Sequence, residues 1–164
     1  MSQKKLWSGT LALFFVSQLP CSADWQFTRW GMSPQEFVDA APPDLVLNGS
    51  HENCSGLYSS DWKAGDLNFD VCYSFSENGL NRVSLLLKEP NLENAFNLKT
   101  LLERKYGNPT PNNSLKNLGI SILEWRTETE VISYSDSLLV LDDNYAPFVH
   151  VYYETLNLPG IDGL

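Results

Sequence analysis

The sequence predicts an α+β domain of two layers, in which two helices pack on one face of an antiparallel sheet of about six strands. Three observations lead to this fold class. Two segments carry helix caps, several segments alternate apolar and polar residues with a period of two, and short turns join consecutive alternating segments. Short connections favour antiparallel pairing, because parallel neighbours need a long crossover.

The first helix is predicted by the Met-Ser-Pro-Gln-Glu-Phe segment at residues 32–37. Ser33 can cap the first turn, Pro34 suits the first helical position, and Glu36 completes an S-x-x-E capping box. The helix must be short, because the Pro-Pro pair at 42–43 cannot continue it.

A second, longer helix is predicted from about Leu92 to Tyr106. Asn91 is available as its cap, and Gly107 followed by Pro109 marks its end. Its expected apolar stripe consists of Leu92, Ala95, Phe96, Leu102 and Tyr106.

The clearest strand lies at residues 69–75, where aromatic and Val side chains alternate with polar ones and with Cys72. An Asn-Gly pair at 78–79 predicts a hairpin turn into a strand over residues 83–87. An earlier strand over 57–62 joins through the turn at 64–66.

The second half of the chain contains three or four further strands between residues 120 and 153, separated near Glu128, Asp136 and 142–144. The polar segment 110–117 is interpreted as a loop.

Residues 1–23 have the layout of a secretory signal peptide, with two lysines, an apolar run, and small residues before a cleavage point between Ala23 and Asp24. A lipoprotein acylated on Cys21 is the competing interpretation. No other stretch is long and apolar enough to cross a membrane. We therefore predict a periplasmic or secreted protein with one α+β domain over residues 24–157 and a loose tail over 158–164.

Removal of the signal peptide leaves two cysteines, Cys54 and Cys72, and we predict that they form a disulfide in an oxidising compartment. Two buried free thiols are the alternative. The segment His51-Glu52-Asn53-Cys54 lacks the spacing of a metal site, and we predict no metal or cofactor.

The segment Trp30-Gly31-Met32-Ser33-Pro34-Gln35-Glu36 resembles the Gly-Met-Ser/Thr-x-x-x-Val/Phe helix start of small bacterial envelope domains. These include the outer-membrane assembly lipoproteins of the BamE/SmpA type and the β-lactamase-inhibitor-like fold. The segment 101–109, followed by Glu124-Trp125-Arg126, is similar to the second half of periplasmic proteins with the same start. These motifs are helix caps and a core Trp, so the resemblance implies a fold and an envelope location more than an activity.

The charge balance argues against nucleic acid as a partner. The mature chain would hold nine basic and 20 acidic residues, a net charge of −11, whereas phosphate binding requires a basic face. No Gly-x-Ser-x-Gly or other catalytic signature is present. We therefore expect a non-catalytic module that binds a protein partner, with inhibition of a cationic envelope enzyme such as a lysozyme as one version.

Two alternatives to protein binding stay open. A wall-polymer hydrolase would use paired carboxylates, for which Asp142-Asp143 and the group Glu124, Glu128 and Glu130 are available. A glycan-binding module would use exposed aromatic side chains next to amides. The aromatic residues predicted to decorate an exposed, partner-binding face are Tyr58, Trp62, Tyr145 and Tyr152.

Overall fold

The computed structural model of the protein describes residues 25–51, 54–138 and 146–156, which form an α+β fold with one antiparallel sheet of eight strands and two helices. The predicted signal peptide with its cleavage point at Ala23 and Asp24, and the predicted tail over 158–164, lie outside the described residues. The Asp-Asp-Asn turn at 142–144 does so too.

The two helices are α1 (Pro34–Ala40) and α2 (Leu92–Tyr106), and a short 3₁₀ turn covers Lys116–Leu118. The strands of the first half are β1 (Asn48–His51), β2 (Cys54–Ala64), β3 (Leu67–Ser76) and β4 (Gly79–Leu87). Those of the second half are β5 (Thr110–Asn112), β6 (Ser121–Arg126), β7 (Glu130–Ser137) and β8 (Phe148–Thr155).

The strands follow one another across the sheet in the order β1-β2-β3-β4-β8-β7-β6-β5. From either edge to the centre, the four strands of one half therefore lie side by side in chain order. Each half is one helix followed by four strands, and the halves meet where β4 pairs antiparallel with β8, with Leu85 opposite Val151. In β2 and β3 Trp62 lies opposite Phe69, and in β6 and β7 Trp125 lies opposite Ile132 at the same distance from the turn. The chain is therefore built as an internal repeat.

The prediction of about six strands is wrong in number, because β1 and β5 were not expected. Both are short and polar, Asn-Gly-Ser-His and Thr-Pro-Asn, so neither shows an apolar alternation. Each lies at an edge of the sheet, where short strands and a proline are tolerated. Pairing with a neighbour, rather than their own sequence, makes them strands.

Both helices lie on the same face of the sheet, which we call the helix face. One row of facing residues crosses that face from β3 to β6, and none of its members is more than 7% exposed. The row consists of Tyr73, Val83, Tyr153, Ile132 and Trp125. The Phe37 ring of α1 lies 4.6 Å from that of Tyr73, and the Tyr106 ring of α2 lies 6.5 Å from that of Tyr153. The opposite side, on which neither helix packs, is the helix-free face.

The first helix begins as predicted. Ser33 accepts a hydrogen bond from the Glu36 backbone, and the Glu36 carboxylate accepts one from the Ser33 backbone at 2.7 Å. Phe37 is the one fully buried side chain of this seven-residue helix. A single ring therefore anchors α1.

The bounds of α2 match the prediction, with Asn91 as N-cap and Gly107 at the C-terminus. Its apolar stripe does not, because the buried residues are Ala95, Leu98 and Leu102, while Leu92 and Phe96 are 71% and 69% exposed. The three buried residues have the spacing i, i+3 and i+7, so they span a narrower arc of the helix surface than the predicted set. This arc faces the sheet.

The segment before α1 is held against the start of β4. Leu80 donates a backbone hydrogen bond to the Met32 carbonyl at 2.8 Å, and Gly31 donates one to the Leu80 carbonyl at 2.9 Å. Gly79 lies so close to Gly31 that a Cβ at residue 79 would clash with its backbone. This contact fixes the segment that carries Trp25 over the sheet.

The predicted disulfide is confirmed: Cys54 and Cys72 are bonded, 18 residues apart, with a Cα–Cα distance of 5.6 Å. Cys72 lies opposite Ser59 and points away from the main core, as the alternation predicts. Such a bond is typical of proteins that fold outside the reducing cytoplasm.

Candidate functional site

The structure separates the aromatic residues that were predicted to form one exposed surface. Tyr58 and Trp62 lie on the helix face, where the Tyr58 ring stacks on Phe37 at 5.4 Å. Tyr152 lies on the helix-free face, and Tyr145 lies outside the described residues. The predicted set therefore divides between two candidate sites, one on each face.

The site on the helix-free face is centred on three ring-bearing side chains of β8, Phe148, His150 and Tyr152, which we call the β8 triad. They point the same way because they alternate along one strand. The His150 and Phe148 rings lie 4.9 Å apart, and His150 Nδ1 forms a 2.8 Å hydrogen bond with the Tyr152 hydroxyl. The three rings thus form one continuous ridge.

A row of serines borders the β8 triad. On β7, Ser137, Ser135 and Ser133 lie opposite the three triad members in turn, and on β4 Ser84 lies opposite Tyr152. The reason is period-two alternation: the sequence Ser-Tyr-Ser-Asp-Ser at 133–137 places every serine on this face and the tyrosine on the other. Sequence reasoning missed this pairing, although the alternation is visible in both segments.

The centre of this surface is uncharged at neutral pH. Burial lowers the pKa of His150, which favours the neutral imidazole, and burial also raises the pKa of Tyr152. The charges beside the triad are paired, because Arg82 forms an ion pair with Glu154 on the neighbouring position of β8. A partner that covers only the neutral ridge therefore desolvates no charged group.

The second candidate site is a cleft of about 400 Å³ on the helix face, which we call the aromatic cleft. One wall is Trp25 from the N-terminal segment and Trp62 from β2, with ring centroids 5.4 Å apart. The other wall is Tyr106 from the end of α2 and Tyr153 from β8. The cleft therefore lies where the two halves of the repeat meet.

Glu130 lines this cleft and is only 5% exposed. Its backbone N–H donates to Thr127 Oγ1 at 3.1 Å, and its carbonyl accepts from the Thr127 N–H at 3.0 Å, which closes the turn between β6 and β7. In the other half, Ala64 and Leu67 close the matching turn, and Leu67 is 3% exposed. A buried carboxylate thus occupies the place that leucine occupies in the first half.

Polar groups in the cleft are close enough to affect one another. Burial is the main cause that raises the pKa of Tyr153, and the neighbouring Tyr106 and Glu130 raise it further. The Lys105 ammonium lies 4.8 Å from the centroid of the Tyr106 ring, in cation–π contact. The cleft accordingly offers one acidic group, one basic group and four aromatic rings.

Two of the carboxylates considered for a hydrolase, Glu124 and Glu130, lie on opposite faces of the sheet, and Asp142 and Asp143 lie outside the described residues. Glu124 lies opposite Ser133 on the helix-free face, where it accepts a 3.1 Å hydrogen bond from Asn112, whereas Glu130 lies on the helix face. Glu128 is exposed in the turn between them. Since the sheet separates Glu124 from Glu130, these two cannot flank one glycosidic bond.

Within the described ranges, no group of three or more His, Cys, Asp and Glu side chains could hold a metal ion. Over the same ranges no helix has the length and apolar character needed to cross a bilayer.

Comparisons of the chain with protein-family models, with curated proteins and with solved structures gave no match.

Proposed function

We propose that the protein is a non-catalytic binding module of the periplasm or the secreted fraction, and that it holds a protein partner on its helix-free face. The observation that carries this proposal is the β8 triad bordered by a row of serines. The Cys54–Cys72 disulfide and the resemblance of residues 30–36 to envelope proteins support the location.

The chemistry of this surface suits protein recognition. Tyrosine and other rings present a large contact area with few rotatable bonds, and serines supply small, adaptable hydrogen-bonding groups; the same combination dominates antibody binding loops. Half-buried rings surrounded by small residues also fit the anchor pattern of interface hot spots. The triad would therefore supply the anchors and the half-buried Ser133 and Ser135 the hydrogen-bonding rim, whereas Ser84 and Ser137 are buried, at 7% and 8% exposure.

The charge of the chain bears on the kind of partner. The full sequence carries −9 at neutral pH, which steers cationic partners toward it. A basic secreted or envelope enzyme, inhibited by occlusion, is the partner that this charge favours.

A capture experiment with three baits tests the proposal. The purified protein, its Tyr152→Ala variant and its Phe96→Ala variant are incubated with envelope extract at low and high salt, and bound proteins are identified by mass spectrometry. Phe96 is the matched control, because it is an aromatic side chain 69% exposed on the other face.

We expect one salt-sensitive partner that the wild type and the Phe96 variant retain. The Tyr152 variant should bind that partner about 30-fold more weakly, as expected for loss of a hot-spot tyrosine. Equal capture by all three baits, or capture of nothing, would refute the assignment of this face.

A further inference from the structure

We propose that the aromatic cleft is a second site, separate from the protein-binding face, and that it takes a neutral saccharide. The site lies on the opposite side of the sheet from the β8 triad. Both sites can therefore be occupied at once.

The size and walls of the cleft fit a small ligand. A volume of about 400 Å³ falls in the range of small-molecule sites, which bury most of the ligand between apolar walls with a few polar groups. The apolar C–H faces of a pyranose ring pack on aromatic rings, whose faces carry partial negative charge. Trp62 and Tyr106 are both partly buried, so each presents part of its ring to the cleft.

The polar groups of the cleft match hydroxyls better than ions. Sugar hydroxyls both donate and accept hydrogen bonds, and the cleft provides the Glu130 carboxylate as acceptor and the Lys105 ammonium as donor. Because these two charges are opposite, the cleft has no net charge to select a cation or an anion. The amide of Gln26 on the rim adds a further donor and acceptor.

Two features point to a stability cost at this cleft. The first is Glu130 itself, since the repeat places Leu67 at the matching turn and a leucine there is the cheaper residue to bury. The second is Gln26, which has φ of 57° and is the one non-glycine with positive φ in the described part of the chain. Strained backbone and buried charge both concentrate at functional sites.

The test measures saccharide binding to the full protein by isothermal titration calorimetry and by tryptophan fluorescence, which Trp25 and Trp62 make sensitive to the cleft. The probes are three neutral disaccharides (maltose, cellobiose and diacetylchitobiose), with putrescine as the cationic comparison. Glu130→Gln replaces the carboxylate by a neutral amide, Lys105→Met removes the ammonium, and both variants keep the approximate side-chain shape.

Two variants serve as matched controls. Glu128→Gln makes the same chemical change two residues from Glu130 on an exposed turn, and Lys116→Met does the same for an exposed lysine that does not line the cleft. Circular dichroism and a urea unfolding curve confirm that each variant is folded. Since Lys105 is exposed, its variant tests the site even if Glu130→Gln fails to fold.

We expect saturable binding of at least one disaccharide, weakened at least tenfold by Glu130→Gln and at least threefold by Lys105→Met. Both controls, and Tyr152→Ala on the other face, should stay within twofold of the wild type. The proposal fails if no disaccharide binds up to about 10 mM. It also fails if Glu130→Gln and Lys105→Met bind the disaccharides as tightly as the control variants do. A third refuting result is that putrescine binds more tightly than every disaccharide and that Glu130→Gln abolishes putrescine binding.

Discussion

Replacement of Glu130 by leucine should make the protein more stable, because the internal repeat shows what this turn needs for folding alone. The matching residue of the first half is Leu67, with 3% exposure against 5% for Glu130. A buried leucine contributes about 2 kcal/mol, and loss of the polar interactions of the Glu130 side chain costs about as much. These two contributions cancel, and the substitution also removes the cost of keeping a carboxylate out of water. We therefore expect Glu130→Leu to raise the free energy of unfolding by about 1–2 kcal/mol.

The reciprocal variant, Leu67→Glu, should be strongly destabilising. It loses about 2 kcal/mol of apolar burial and places a carboxyl where the first half has none, which costs about 3 kcal/mol more at pH 7. Urea unfolding followed by tryptophan fluorescence measures both changes. Glu128→Leu, in the exposed part of the turn, is the control and should change stability by less than about 0.5 kcal/mol.

The result that would refute this reasoning is a loss of more than about 1 kcal/mol in Glu130→Leu. Glu130 would then be needed to hold the turn or the sheet together, and its burial would no longer indicate a binding role. A tolerated Leu67→Glu would equally show that the two turns are not equivalent.

Three further predictions concern the core, the disulfide and pH. Phe37→Ala should lower the free energy of unfolding by about 4 kcal/mol in urea titrations, because its fully buried ring is the only anchor of α1. Val38→Ala, at a 40% exposed site, should stay within about 0.5 kcal/mol, and similar losses in the two variants would contradict the anchor role. Reduction of the Cys54–Cys72 bond should cost about 3 kcal/mol for a loop of 18 residues, and identical urea curves with and without reductant would refute this. Burial lowers the pKa of His150 from 6.5, so the unfolded chain binds its proton more readily; stability should be complete above pH 6.5 and fall as pH decreases through the lowered pKa. In His150→Gln this part of the pH dependence should disappear from unfolding curves measured between about pH 7 and pH 5, and an unchanged profile would contradict it.

Helix ends were predictable because their causes are local. Ser33 and Glu36 satisfy each other's backbone groups within one turn, and the cap on Asn91 and the stop at Gly107 require only neighbouring residues. The hairpin turn at residues 76–79 was equally clear, because Gly79 takes the positive φ, 90°, that the chain needs where it enters β4.

The candidate sites were harder to predict because they depend on which face a residue occupies. Tyr58 and Trp62 show an alternation that fits either side of a sheet, and only packing against Phe37 and Trp25 puts them on the helix face. Tyr152 has the same kind of alternation and lies on the other face. The alternation of side chains along a strand determines which residues share a face of the sheet. Tertiary packing determines which of the two faces the helices cover.

The sequence by itself determined the fold class, both helices, the central hairpin and the disulfide partners, since all of these follow from short-range chemistry or from the count of cysteines. Tertiary structure alone decided the edge strands β1 and β5, the order of strands across the sheet and the burial of Glu130. The physical reason is the separation along the chain of the groups that interact. Caps and turns act over three or four residues, whereas strand pairing and burial depend on groups brought together from opposite halves of the chain.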